Sequence, residues 1–176
     1  MATSAWIKDE LQRYKIPFEE VQHSPAFTAQ ELAQQEHMMG HKVAKLVVVI
    51  ADGHPHGLVL PASRKIMIHR VREALGGTYV RLASEDELRS FCSDCDVGST
   101  PPIPHWPNVK LLMDETMRVP GDILFQAGTH VDGIKVKFDD WFNWIKPEVA
   151  SFSVSVEALP SRADYRDDEG NEKFWF

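Results

Sequence analysis

The sequence predicts a single α+β domain in which a mixed, mostly antiparallel, curled sheet is flanked by helices. Three observations carry this. Strand-like and helix-like apolar patterns follow one another irregularly and often as hairpins, where a strict strand–helix alternation would mark a parallel sheet. The 176 residues, 43% hydrophobic and 26% charged, suffice for one domain with a substantial core. No internal repeat and no long linker divides them.

The first helix is expected over about Ser4–Tyr14, with Trp6, Ile7, Leu11 and Tyr14 as its apolar stripe, and Pro17 ends it. A short strand follows over 18–23. Thr28 with Glu31 three residues on reads as a capping box opening a second helix, which Gly40 stops. Strands are predicted over 43–51 and 57–61, on either side of the turn-rich "DGHPHG". The stretch 63–77 reads as one amphipathic helix closed by Gly76-Gly77. "TYVRLA" is a strand, and "SEDELRSFC" a helix with Ser84 and Glu87 as its capping box. "DVGSTPPIPHWPN" can be neither helix nor central strand. "VKLLMD", "DILFQAG" and "GIKVKF" are three further strands, "DDWFNWI" a short helix and "SFSVSVEA" an edge strand before an acidic tail.

No apolar run approaches the roughly 20 residues a membrane span needs. The N-terminus lacks the basic region and apolar core of a signal peptide. With two cysteines besides, the expectation is a cytoplasmic protein without a membrane partner. The net charge of −7 argues against broad duplex binding. Its distribution is uneven: residues 147–176 hold seven acidic and three basic side chains, whereas 41–72 hold six Lys/Arg against Asp52 alone. Such a basic patch suits local phosphate contacts.

Lys45 lies in "GHKVAKLVVVI", where alternation puts it on the same strand face as Val43, Val47 and Val49. An unpaired buried ammonium costs several kcal/mol. Either the strand is frayed there and Lys45 reaches water, or the lysine points into a cleft. Other constellations are weaker. Cys92 and Cys95 have redox or zinc spacing, but no second ligand pair exists and they follow a helix end, so they read as incidental thiols. His37 and His41 are separated by Gly40, and His54 and His56 sit in a turn, so no metal and no cofactor is expected. "GSTPP" (98–102) sets a permissive glycine before two stiff prolines, a loop able to hold N–H groups outward. "FQAGTH" (125–130) ends a strand with His130.

Seven strings, in order, resemble the YbaK/EbsC family, the editing domain also inserted in bacterial prolyl-tRNA synthetases. They are "HSPAFTAQELA" (23–33), "GHKVAKLVVV" (40–49), "LVLPASRKI" (58–66), "ALGGTYVRLASEDEL" (74–88), "GSTPP" (98–102), "LLMDE" (111–115) and "FQAGTH" (125–130). The resemblance implies an aminoacyl-tRNA deacylase acting in trans on a mischarged tRNA, foremost tRNA-Pro carrying a small amino acid. It places the family's lysine on Lys45, its Gly-x-x-x-Pro loop on Gly98–Pro102, and a histidine used by some members on His130. Lys45, Gly98 and His130 are then the catalytic candidates. Phe27, Thr28, Ser99, Thr100, Pro101, Pro102 and Gly128 are the substrate-binding ones. Where many relatives have glycine two residues after the second proline, this chain has Pro104.

The implied chemistry is metal-free attack of water on the ester carbonyl, assisted by the substrate's own ribose hydroxyl. N–H groups near Gly98 would hold the oxyanion, and Lys45 a phosphate or the ester oxygen. The partners would be the tRNA acceptor end and a synthetase or elongation factor. Residues 1–146 would form the editing domain, with 147–176 an extension of open role. The alternatives are a non-catalytic tRNA- or nucleotide-binding module of the same fold, and a small-molecule acyl or aminoacyl esterase.

Overall fold

Ile7 and Leu11, one helical turn apart, are fully buried along α1 (Ala5–Arg13), as the apolar stripe requires. Tyr14 is half exposed at its end. This computed structural model of the chain describes residues 4–155 and the backbone of 174 and 175. After β1 (Phe18–Gln22) comes α2 (Ala29–Gln35), whose cap is as expected on one side: Thr28 Oγ1 accepts the Glu31 N–H at 3.1 Å. The returning Glu31 carboxylate reaches one residue further back and accepts from the Phe27 N–H at 2.7 Å.

The long hairpin of β2 (Ala44–Ala51) and β3 (His54–Pro61) is the centre of the fold. Its turn is confined to Asp52-Gly53, so β3 begins at His54, earlier than the turn-rich sequence suggests. β5 (Val80–Leu82) pairs antiparallel with β2. β6 (Lys110–Asp114) pairs parallel with β3, and β9 (Glu148–Ala150) parallel with β6, giving the order β5-β2-β3-β6-β9. β7 (Asp122–Gln126) and β8 (Asp132–Lys137) form the second antiparallel hairpin, with β1 on its outer edge. A parallel bridge between Val43 and Leu124 joins the two sheets into one curled surface.

Between them lies the larger core, where Phe125, Ile134, Met113 and Ile103 meet Ile7 and Leu11 of α1 and Trp141 of α5 (Phe138–Ile145). On the opposite face of the hairpin, Val49, Leu58 and Leu60 pack against Ile66, Val71 and Phe152.

One expected helix is two elements. Residues 63–77 divide into β4 (Arg64–Met67) and α3 (Ile68–Leu75). The Ile66, Ile68 and Val71 spacing suits a helix, but β4 finds ladder partners on both edges: β10 (Ser153–Ser155) and the backbone of β11 (Phe174–Trp175). The acidic stretch 156–173, with the end of "SFSVSVEA", lies outside the described residues.

α4 (Glu85–Phe91) carries both arms of the expected capping box at Ser84 and Glu87. The Arg81 guanidinium forks onto Glu87 with two bonds of 2.8 Å. It lowers that carboxyl to about 2, with help from the Ser84 N–H. Cys92 and Cys95, expected as separate thiols, are joined in a disulfide. The turn at the end of α4, closed by the Cys95 N–H on the Cys92 carbonyl, brings their Cα atoms to 5.5 Å, within bridging range.

Candidate active site

A cavity of about 620 Å³ opens beside β2. One wall is β2 itself, from Ala44 to Val48. A second is the start of α2 with Phe27 and Thr28, and a third is the loop residues Val97, Gly98 and Thr100. Leu82, Ala83 and Leu88 make an apolar end beneath α4, while Lys65 of β4 and Gln126 of β7 contribute polar groups. The volume lies in the usual range of small-molecule sites, and so does the lining, mostly apolar with few polar groups.

Lys45 is not at a frayed end. It is the second residue of a strand paired along its whole length, opposite Leu60, and Val43 and Val49 on its face are fully buried. Its ammonium donates to the Arg64 carbonyl at 2.6 Å and lines the cavity. Burial, and then the nearby charge of Lys65, lower its pKa from 10.5 to about 8. About nine in ten molecules therefore still carry the charge at pH 7. Lys45, Lys65, Arg64 and Arg70 have no ion-pair partner among the described residues. Of these, Lys45 and Lys65 line the cavity, so that part of its wall is positive although the chain is acidic.

The proline loop lines the same cavity as Lys45. Gly98 adopts φ +88°, a conformation side chains with a Cβ rarely take. Among the described residues neither the Gly98 nor the Thr100 N–H has a protein partner, so both are available to a ligand. The loop is held from behind: the Asp96 N–H donates to the Gly128 carbonyl at 2.8 Å and the Gly128 N–H to the Ser99 carbonyl at 2.9 Å. Further along, the indole of Trp141 donates to the Pro102 carbonyl at 3.0 Å. His130 packs its ring 4.8 Å from that of Phe27, and its buried Nδ1 has no partner.

The family model described as the aminoacyl-tRNA editing domain matches residues 23–143. The chain belongs to this editing-domain family. It is similar to a proline–tRNA ligase of Leuconostoc citreum (strain KM20), with 28% identity over 117 residues. That stretch is 66% of this chain but spans only 20% of the ligase. The fold is shared with a hypothetical protein at TM-score 0.77 and 19% identity, covering 84% of this chain and 99% of that one. It is shared too with a candidate trans-editing enzyme for prolyl-tRNA synthetase, at TM-score 0.73 and 18% identity, covering 85% and 95%.

Of the residues that the family resemblance singles out, the editing fold brings Phe27, Thr28, Lys45, Gly98 and Thr100 to the cavity wall. His130 stands behind Phe27, its Cε1 4.0 Å from where a Cβ on Gly98 would lie. Ser99, Pro101 and Pro102 are not on the wall. Ser99 is fully buried, its hydroxyl donating to the Asp96 carbonyl at 2.8 Å, and the two prolines are buried beneath the loop. Gly128 also supports from behind: at φ +90°, any Cβ would collide with the Ser4 side chain. Lys65, counted in the sequence only within the basic span 41–72, and Gln126, within "FQAGTH", were not among the candidate site residues. Lys65 falls within a segment that reads as helix, and in the string holding Gln126 the chemical candidate is His130. Among the described residues no three His, Cys, Asp or Glu converge to hold a metal ion.

Proposed function

We propose that this chain hydrolyses the ester joining a wrong amino acid to tRNA, acting in trans, with tRNA-Pro carrying a small amino acid as its foremost substrate. One observation carries the reading: a charged lysine and a loop with unengaged N–H groups line one cavity sized for a terminal aminoacyl-adenosine. The family match and the likeness to a proline–tRNA ligase support the substrate class.

Water adds to the ester carbonyl, the bond from that carbon to the ribose oxygen breaks, and the ribose oxygen leaves with a proton. The products are free amino acid and tRNA with its terminal hydroxyl restored. The Gly98 and Thr100 N–H groups face the developing oxyanion, where preorganised donors give most of their benefit. Lys45 holds the acceptor-end phosphate or the ester oxygen, and Lys65 adds to the field. His130 orients the ribose hydroxyl or the water from behind Phe27. The apolar end at Leu82 and Leu88 limits side-chain size, and a size limit excludes larger cognate residues.

The test is deacylation of a panel of mischarged tRNAs, with Lys45→Ala alongside. Release from a tRNA-Pro bearing a small amino acid, lost in Lys45→Ala, sustains the reading. Turnover of simple aminoacyl esters without any preference for tRNA would favour a small-molecule esterase, and binding without turnover a non-catalytic module.

A further inference from the structure

The strand that supplies the Lys45 acceptor has an unusual dependence. Among the described residues, β4 makes ladder pairs with no strand of residues 1–146; its partners are β10 and β11, both beyond that point. These strands also lie outside the stretch matched by the editing-domain family. Yet β4 carries the Arg64 carbonyl that receives the Lys45 ammonium, and Lys65, which lines the cavity.

The extension is itself fastened to the domain by a buried carboxylate. Asp114, 1% exposed at the end of β6, accepts the Phe152 and Ser153 N–H groups at 2.9 Å each. Its other oxygen accepts from the N–H and hydroxyl of Thr116. Phe152 is fully buried in the second core, and its carbonyl accepts the Met67 N–H at 2.8 Å. Ser153 then receives the Arg64 side chain twice, Nε on its hydroxyl at 2.6 Å and a terminal nitrogen on its carbonyl at 3.0 Å. Arg70 reaches the same carbonyl at 3.4 Å. Arg64, in the basic span read as a phosphate-contacting patch, is thus turned toward the extension.

We propose that the chain beyond residue 146 is a positioning element for Lys45: Asp114 clamps Phe152 and Ser153, Ser153 anchors Arg64, and the Arg64 carbonyl thereby holds the lysine in the cavity. The proposal rests on Lys45 being the working cation of that site. A long flexible side chain has several rotamers open to it, and one short acceptor on a strand held at both edges selects the buried one. Lys65 is the charged group facing Lys45 from β4, and it moves with the same strand.

The test uses the full chain with Arg64→Met, which keeps the length of the side chain and removes both bonds to Ser153. Two readouts are taken: deacylation kinetics, and the pH dependence of Lys45 acetylation in competitive labelling read by mass spectrometry, with Lys135 as internal control. The expected result is a kcat lowered at least tenfold with KM within twofold. The Lys45 labelling midpoint should rise by at least one pH unit as the amine returns toward water, tenfold less free amine at pH 7. Arg64→Lys, which can restore one bond, should fall between. An Arg64→Met protein with wild-type kcat and a wild-type Lys45 midpoint overturns the proposal. If Arg64→Met does not fold, Ser153→Ala removes a single bond and is read by the same criteria. If the wild type deacylates no tRNA, the functional reading fails separately, and the labelling midpoint alone decides the positioning: raised sustains it, unchanged overturns it.

Discussion

Replacing Lys45 by methionine should stabilise the protein at neutral pH while abolishing turnover, and the stability gain should vanish as pH rises. The ammonium is charged and largely buried, its pKa lowered from 10.5 to about 8. The charged form therefore costs the folded state about 3 kcal/mol relative to the unfolded chain. Methionine has similar length, fills the same apolar strand face and carries no charge. Its drawback is the Arg64 carbonyl left without its donor, worth about 1–3 kcal/mol. The net at pH 7 is a gain of about 0–2 kcal/mol, so the sign of the pH dependence is the sharper test.

Below pH 8 the lysine is protonated both folded and unfolded, and the full penalty applies. Between pH 8 and 10.5 the unfolded chain still binds a proton that the folded chain has released, so wild-type stability rises with pH. Lys45→Met lacks this group, and the titrations of groups not coupled to Lys45 cancel in the difference. Urea unfolding of both proteins from pH 7 to pH 10 should show the difference moving toward the wild type by about 2–3 kcal/mol, mostly above pH 8. A difference constant within about 0.5 kcal/mol across that range would refute the buried cation.

Enzymatic deacylation, corrected for spontaneous ester hydrolysis, should decline as pH rises through about 8, because the cation is then lost; Lys65→Met should move that limb upward, since the Lys65 charge helps lower Lys45. An alkaline limb unmoved in Lys65→Met would break the link between the two lysines. Gly98→Ala has room for its methyl group, 3.7 Å from the nearest atom, so its folding cost is the strained φ of +88° alone, about 1 kcal/mol and a Tm lower by about 2–4 °C. The rate should fall about a hundredfold if this backbone meets the oxyanion, and an unchanged rate would make the loop a mere connector. Turnover should persist after exhaustive chelation and in Cys92→Ser/Cys95→Ser, and loss with EDTA restored by zinc would overturn the metal-free chemistry.

The features legible in the sequence are those where one local rule sufficed. Lys45 stood out because a cation in the register of Val43 and Val49 contradicts burial, and the structure resolves the contradiction with a cavity and a carbonyl. The cap at Ser84 and Glu87 needed only a three-residue spacing. β4 was illegible because its β10 partner is almost ninety residues away, and four residues leading straight into a helix share that helix's apolar spacing. Lys65 was hidden with it. In the proline loop the sequence named a segment that reaches the cavity but could not apportion it. Thr100 reaches the cavity, whereas Ser99 turns inward to cap the Asp96 turn, a choice made by backbone geometry that composition does not encode.

Lys45 and Gly98 line the same cavity, and each is braced by different parts of the fold. The buried charge of Lys45 sits on a strand laddered to β3 along its length, with its acceptor on β4, which ladders to β10. The positive φ of Gly98 sits on a loop bonded through Asp96 and Ser99 to Gly128, with Pro102 tied to Trp141 of α5. The buried charge is unfavourable alone and persists because its surroundings over-determine it, whereas glycine takes the positive φ without steric cost and the braces fix which of its conformations is used. Such bracing has a consequence for selectivity. A pocket meant to exclude by size must not widen when a larger side chain presses on it, and walls fixed by two separate sets of backbone bonds resist that independently. Loosening either wall should then cost discrimination before it costs global stability. Against a panel of amino acids of graded size, Trp141→Phe, which frees the Pro102 carbonyl and leaves a smaller ring in a fully buried site, should therefore admit the next larger residue with a Tm lowered by about 4–16 °C. Retained size ranking in that variant would show that the loop does not set the limit.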